Sequence, residues 1–411
     1  MMITITNLFP RPDRPTRGLF NFELFKAMAA SLTVSRFLNI CLVPEWRLWR
    51  WPEIRRWKMP ASEHIARATV YLPVFYLPLV GRSLAGWLCQ RALKRFFSAG
   101  RGGENDGVPD VFLGSWLYPD AVAVVRLAAA GGARAWMRVH GTDRYHLKHP
   151  VRRRLILDAC RMAEGVICNC RAVAADLVKW GVPAGRLHIV PNGVDGAVFR
   201  HRTRDALLAE DKKGALSSFL NASSTDPAPR MVLFVGNLVP IKGPDVALKA
   251  FGRMATGGTS PVLVVIGIGP MRRRLERLAR ELGVAGRVCF LGARPHAEVA
   301  LWMNRADVLC LASRSEGMPN VIVESLVSGL PVVATDVGAC RELLADEPCA
   351  RVCAPGDEAD IARALEAALA ADPDRQGMAA RHGGRFSWAH QAETIMGLMA
   401  GRGVGGGKDE G

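Results

Sequence analysis

Short apolar runs alternate with helix-length amphipathic stretches along almost the whole chain, and this alternation restricts the fold more than any other feature. Segments 3–6, 111–113, 135–139, 166–168 and 187–190 form a first set of strand candidates. Segments 232–235, 262–266, 288–291, 308–312 and 332–334 form a second, clearer set, with helical patterns such as 270–282 and 297–304 between them. Strands separated by helices argue for parallel βαβ units. The expectation is an α/β chain with two doubly wound, Rossmann-like domains. At 411 residues the chain is also long for a single domain. The first domain is assigned to residues 1–205 and the second to 230–385. Residues 206–229, with Lys212, Lys213, Ser217, Ser218, Ser223, Ser224 and Pro227, read as a linker. Residues 401–411 hold five glycines before Lys408 and read as a disordered tail.

The net charge of +16 is uneven. Through Asp195 there are 28 Lys and Arg against 14 Asp and Glu, and the remainder has 26 against 24. One half therefore faces something anionic. Trp46, Arg47, Trp49, Arg50, Trp51 and Trp57 interleave indoles with cations, which suits an anionic membrane surface. Two other readings stand beside it: an ordinary loop with tryptophans turned into the core, and base stacking, although no nucleic-acid module accompanies it. No basic-then-apolar leader is visible at the start, and the most apolar long stretch, 68–81, holds two prolines and is too short to span a bilayer. The ten cysteines lack paired metal-ligand spacing and read as reduced core thiols. A cytoplasmic protein, peripheral on the inner membrane face, is expected.

Ser315-Glu316-Gly317-Met318-Pro319-Asn320 follows the apolar run 308–312 and precedes a helix expected over 321–328, which carries Glu324. Pro319 suits the first turn of that helix. Ligands of open α/β sheets sit beyond the carboxyl ends of strands, near helix N-termini. A phosphate would gain from the helix N–H groups there, and the two carboxylates could hold sugar or ribose hydroxyls.

This segment resembles the Glu-x7-Glu signature of retaining, nucleotide-sugar-dependent glycosyltransferases of family 4, which adopt the GT-B fold: two Rossmann-like domains facing across a cleft. Further segments resemble that family in the same order. Phe9 to Gly18 is similar to the loop whose glycine, here Gly18, lets the backbone approach the donor diphosphate. Arg138-Val139-His140-Gly141-Thr142-Asp143 matches the segment in which His140 would contact the transferred sugar, with Arg138 and Asp143 as acceptor-side candidates. Pro191-Asn192-Gly193-Val194-Asp195 resembles the turn ending the first domain. Gly236-Asn237-Leu238-Val239-Pro240-Ile241-Lys242-Gly243 places Lys242 where the family pairs a lysine with the donor phosphates. Asn237 stands where many members carry arginine, and Arg17 or Arg294 are candidates to compensate. Gly267-Ile268-Gly269-Pro270 resembles a Gly-x-Gly-Pro near the nucleotide, and Phe386-Ser387-Trp388 begins a crossover helix assigned to 386–400.

The resemblance implies transfer of a sugar from a nucleotide diphosphate sugar to an acceptor hydroxyl with retention of configuration. Glu316, Lys242 and His140 would be catalytic. Gly18, Asn237, Gly267, Gly269, Arg294, Gly317, Met318, Pro319, Asn320 and Glu324 would bind the donor. Lys242 and the helix N–H groups would stabilise the leaving diphosphate, so neither a metal nor a cofactor is expected. The basic first half suggests a lipid-linked or polysaccharide-precursor acceptor, with no role for nucleic acid. A nucleotide-sugar epimerase of the same fold and a non-catalytic, membrane-binding relative are the alternatives.

Overall fold

The computed structural model describes residues 1–15, 17–32, 36–58, 64–76, 81–100, 109–210, 229–254 and 261–401. They fold as two compact units: Met1–Gly193 with the stretch from Trp388 on, and Val194–Ser387.

The first unit is built on a seven-stranded, wholly parallel sheet: β1 (Met2–Thr6), β2 (Phe37–Pro44), β3 (Thr69–Val74), β4 (Val111–Ser115), β5 (Arg134–Val139), β6 (Gly165–Cys168) and β7 (Leu187–Ile189). Their spatial order is β3-β2-β1-β4-β5-β6-β7. β1 is buried on both faces, as a central parallel strand must be. Its two threonines tolerate this because Thr4 Oγ1 donates to Asn39 Oδ1 (3.0 Å) and Thr6 Oγ1 to the Ser115 carbonyl (2.7 Å). β2 and β3 were not read from the sequence. β2 carries the buried Asn39, whose polarity breaks the apolar run, and β3 contains Pro73. That proline is tolerated because β3 is an edge strand, paired among the described residues with β2 alone.

The second unit has a six-stranded parallel sheet: β8 (Met231–Val235), β9 (Val262–Ile266), β10 (Val288–Gly292), β11 (Val308–Leu311), β12 (Val332–Thr335) and β13 (Arg351–Cys353), ordered β10-β9-β8-β11-β12-β13. β13 escaped the sequence reading because three residues, one of them an exposed arginine, make no apolar run. The expected helices 270–282 and 297–304 are Arg272–Glu281 and His296–Arg305. In both sheets the chain reverses its direction of strand addition once, between β1 and β4 and between β8 and β11. Such switch points are where doubly wound sheets leave a crevice for ligands.

The division between units departs from the assignment of 1–205 to the first domain. Residues 194–210 pack on the second unit: the Arg202 N–H donates to Asn304 Oδ1 (2.7 Å), and Asn304 Nδ2 donates to the Arg200 carbonyl (2.9 Å). Residues 211–228 of the expected linker, and 402–411 of the expected tail, lie outside the described residues. The expected crossover helix is Trp388–Met399, and it buries Ala392, Ile395 and Met399 in the core of the first unit. Gly193 sits against the start of that helix. A Cβ there would lie 2.7 Å from the Trp388 Cα, so close approach, rather than the geometry of an Asn-Gly turn, requires the glycine.

Candidate active site

In the second unit, the loop after β8 ends in a short 3-10 turn, Pro240–Lys242, and the helix Pro244–Arg253 starts immediately beyond it. Gly243 joins them at φ 60°, and a Cβ there would fall 1.9 Å from the Ala312 carbonyl oxygen. Only glycine lets this loop lie on the end of β11. Arg314, just past β11, fastens the arrangement. Its guanidinium forks onto Asp245 (2.8 and 3.0 Å), its side chain also donates to the Pro240 carbonyl, and its N–H donates to the Ile241 carbonyl (2.8 Å).

Clamping the two loops brings Lys242 and Glu316 together across the β8/β11 switch point. Lys242 Nζ donates to both carboxylate oxygens of Glu316 (2.7 and 2.8 Å), and Ser313 Oγ donates to Oε1 (2.7 Å). Glu316 is nearly covered, while Lys242 keeps about a third of its side-chain surface open. From the other side Gly338 (φ 58°) admits the Glu316 and Gly317 carbonyls, which a Cβ would strike at 2.6 and 2.4 Å. The helix beyond runs Asn320–Val327, with Pro319 as its N-cap in extended conformation rather than inside the first turn. Gly317 and Met318 form the link between Glu316 and that N-terminus. Glu324 lies on this helix. Burial pushes its carboxyl up to about 7, and no side-chain partner holds it among the described residues.

Gly267 and Gly269 are required by packing within the unit itself. Cβ atoms there would meet the Gly236 and Leu238 carbonyl oxygens at 1.9 and 2.4 Å, so these glycines let the β9 loop lie against the β8 loop. Gly18 is similar: it sits at φ 66°, and a Cβ there would fall 2.3 Å from the Leu8 carbonyl oxygen. Asn237 is exposed in the β8 loop. Arg294 is engaged locally, with Nε 3.4 Å from Glu298, so it does not stand as a free replacement cation. The chain has a single Asp-x-Asp triplet, Asp372-Pro373-Asp374, and Asp374 caps the helix Arg375–Gly383 by accepting from the Gly377 N–H (2.8 Å).

In the first unit, the ends of β4 and β5 converge on Asn21, which the sequence reading missed. Asn21 Oδ1 accepts from Ser115 Oγ (2.8 Å) and from Arg138 Nη1 (2.8 Å), and Arg138 Nη2 reaches Asn192 Oδ1 (3.1 Å). Arg138 and Asp143, expected on the acceptor side, are instead structural: they are 1% and 0% exposed. Asp143 accepts from the backbone N–H groups of His140 and Leu117. Burial lowers Arg138 to about 9 and raises Asp143 to about 6.

His140 is held between Phe20 and Trp116, with its Nε2 2.8 Å from Ser115 Oγ. Asn21 Oδ1 can only accept, so the single Ser115 hydroxyl proton goes there and His140 Nε2 must donate. Burial and the Arg138 charge drive the imidazole well below its usual pKa. The ring is therefore neutral, with Nδ1 as its lone-pair atom. Trp116 adopts φ 112°, a strained backbone for a bulky residue. No sequence signal marks Asn21 or Trp116, because both roles depend on strands that meet only in the sheet.

The tryptophan segment divides. Trp46, Leu48 and Trp49 are 49%, 57% and 72% exposed, whereas Trp51 is half-buried with Nε1 on the Glu45 carbonyl (3.3 Å). Trp57 packs edge-on against Tyr71. Arg50 pairs with Glu45 at 3.1 Å. Among the described residues no helix is long and apolar enough to cross a membrane.

Two family models match: Glycosyltransferase Family 4 over residues 53–197 and Glycosyl transferases group 1 over 219–382. Among curated relatives, the D-inositol 3-phosphate glycosyltransferase of Nocardia farcinica is 32% identical over 246 residues, covering 57% of this chain and 52% of that protein. That of Mycolicibacterium gilvum is 34% identical over 242 residues, covering 57% and 51%. The chain thus matches these relatives over about half of their length. Anabaena HepE in complex with UDP superposes with a TM-score of 0.72 at 18% identity, covering 98% of this chain and 100% of that one. Sucrose-phosphate synthase of Thermosynechococcus elongatus gives 0.74 at 19%, covering 98% of each. With the two family models together spanning most of its length and its fold shared with these structures, the chain belongs to the family 4 glycosyltransferases of GT-B fold.

Proposed function

We propose that the protein transfers a sugar from a nucleotide diphosphate sugar to an acceptor hydroxyl with retention of configuration. The carrying observation is the Lys242–Glu316 pair, delivered by two different loops to the β8/β11 switch point. An ammonium fixed by a carboxylate, beside the N-terminus of Asn320–Val327, is an electrostatic cradle for a departing diphosphate. Glu316 would share its oxygens between Lys242 and hydroxyls of the transferred sugar, and Glu324 would receive the ribose hydroxyls. In this reading the leaving phosphate assists deprotonation of the acceptor, and no metal is required. HepE has been crystallised with UDP and with UDP-glucose, which supports a nucleotide sugar as donor.

His140, neutral and fixed by Ser115, offers Nδ1 to a hydroxyl without adding a charge. The acceptor is proposed to be lipid-linked or a polysaccharide precursor presented at an anionic membrane surface on its cytoplasmic face. Exposed Trp46, Leu48 and Trp49 beside Arg47 and Arg50 support this reading.

Glu316→Gln and Lys242→Ala are each expected to reduce kcat by roughly 10²–10³-fold with little change in melting temperature, since each removes charge stabilisation at a partly open site. Turnover of labelled nucleotide sugar with a membrane lipid extract measures this. Wild-type rates in both variants would sink the site assignment.

A further inference from the structure

A cavity of about 600 Å³ opens within the first unit where β1, β2, β3 and β4 end. Seven arginines and only two carboxylates line it. Both carboxylates are already engaged: Asp13 lies 3.1 Å from Arg11, and Glu45 lies 2.8 Å from Arg47 and 3.1 Å from Arg50. Arg47 holds the Glu45 carboxyl down at about 2, so it stays ionised and committed.

Four lining arginines remain without an ion-pair partner among the described residues: Arg14, Arg17, Arg82 and Arg152. The Arg17 side chain donates to Asn7 Oδ1 (3.2 Å), and its buried Nε has no acceptor among the described residues. Burial and the nearby Arg11 and Arg14 charges lower its pKa, the mark of like charges crowded together. Arg152 donates to His146 Nδ1 (2.7 Å) and likewise has a buried Nε without an acceptor. His146 brings no compensating charge; burial and Arg152 push it down to about 4, so it is neutral. Trp46, Trp57, Trp116 and Tyr76 supply aromatic surface in the same wall.

Cations gathered this closely repel one another, and a multiply charged anion would relieve that repulsion. Guanidinium forks match phosphate oxygens in geometry as well as charge. We infer that this cavity binds a phosphate or diphosphate group of the acceptor, so that the acceptor is a phosphorylated compound with an aromatic-contacting portion. This rests on the transferase reading for the word acceptor, but binding itself is measurable without turnover. A phosphorylated lipid and a free sugar phosphate share the chemistry.

The test is calorimetric titration of the full chain with inorganic pyrophosphate while saturating UDP fills the donor site. One pyrophosphate is expected to bind, with affinity falling as salt rises. Arg17→Ala and Arg152→Ala should each weaken it by about ten-fold, and Arg152→Ala should leave UDP affinity unchanged. Arg14→Ala, at an exposed residue, should weaken pyrophosphate binding likewise and serves if either partly buried arginine variant fails to fold. Lys242→Ala should do the reverse, weakening UDP and sparing pyrophosphate, so failure of the donor site reads separately. Competition by geranyl diphosphate beyond that of geraniol would identify a lipid source, and competition by glucose 6-phosphate a soluble one. Either supports the cavity. Absence of pyrophosphate binding with UDP present, or binding indifferent to all three arginine variants, overturns it.

Discussion

Glu324, proposed to receive ribose hydroxyls, is a partly buried acid whose carboxyl is pushed up by desolvation. Its folded pKa of about 7 is above the ordinary carboxyl value, and burial is the cause. The folded state therefore binds more protons than the unfolded state between about pH 4.5 and 7, and stability falls as pH rises through that window. Glu324→Gln removes the charge while keeping the shape. It should be near neutral for stability at pH 4.5 and should stabilise by about 1–3 kcal/mol at pH 8. Urea unfolding at the two pH values measures this; equal effects at both would refute it. Glu316 and Lys242 were legible because their spacing and loop context resembled a known signature. Arg138 and Asp143 were legible as members of a segment but not in role. Whether a charged side chain at a strand end points to solvent or inward depends on what packs above it, and here Asn21, Asn192 and two backbone N–H groups do.

At the level of elements, the site is a matter of two loops lying on each other. Gly243 is the pin, because its missing Cβ lets the β8 loop rest on the end of β11. Gly243→Ala should cost about 1–3 kcal/mol from strain alone. It should also weaken UDP binding several-fold by moving Lys242 away from Glu316. Denaturant unfolding together with UDP titration checks both, and unchanged UDP affinity would show that loop contact does not position the lysine. Strands with four or five apolar residues announced themselves in the sequence. β2, β3 and β13 did not, because Asn39, Pro73 and the shortness of β13 each break the pattern for a local reason: a buried hydrogen bond, an edge position and a three-residue length.

For the whole molecule, the charge asymmetry falls on the half that carries the exposed tryptophans. Sedimentation with anionic liposomes should fall several-fold in Trp46→Ala with Trp49→Ala, and in wild type at high salt, where the surface attraction is screened. Binding indifferent to both changes would remove the membrane reading. The sequence alone determined the class of fold, the doubling of the sheet and the segments bearing Glu316 and Lys242. Periodicity and local turn chemistry are properties of neighbours along the chain. The tertiary structure decided the pairing of Lys242 with Glu316, the burial of Arg138, the neutral state of His140 and the gathering of arginines at one sheet end. Those arginines lie between positions 11 and 152, and only the crossing order of parallel strands brings them to a common wall.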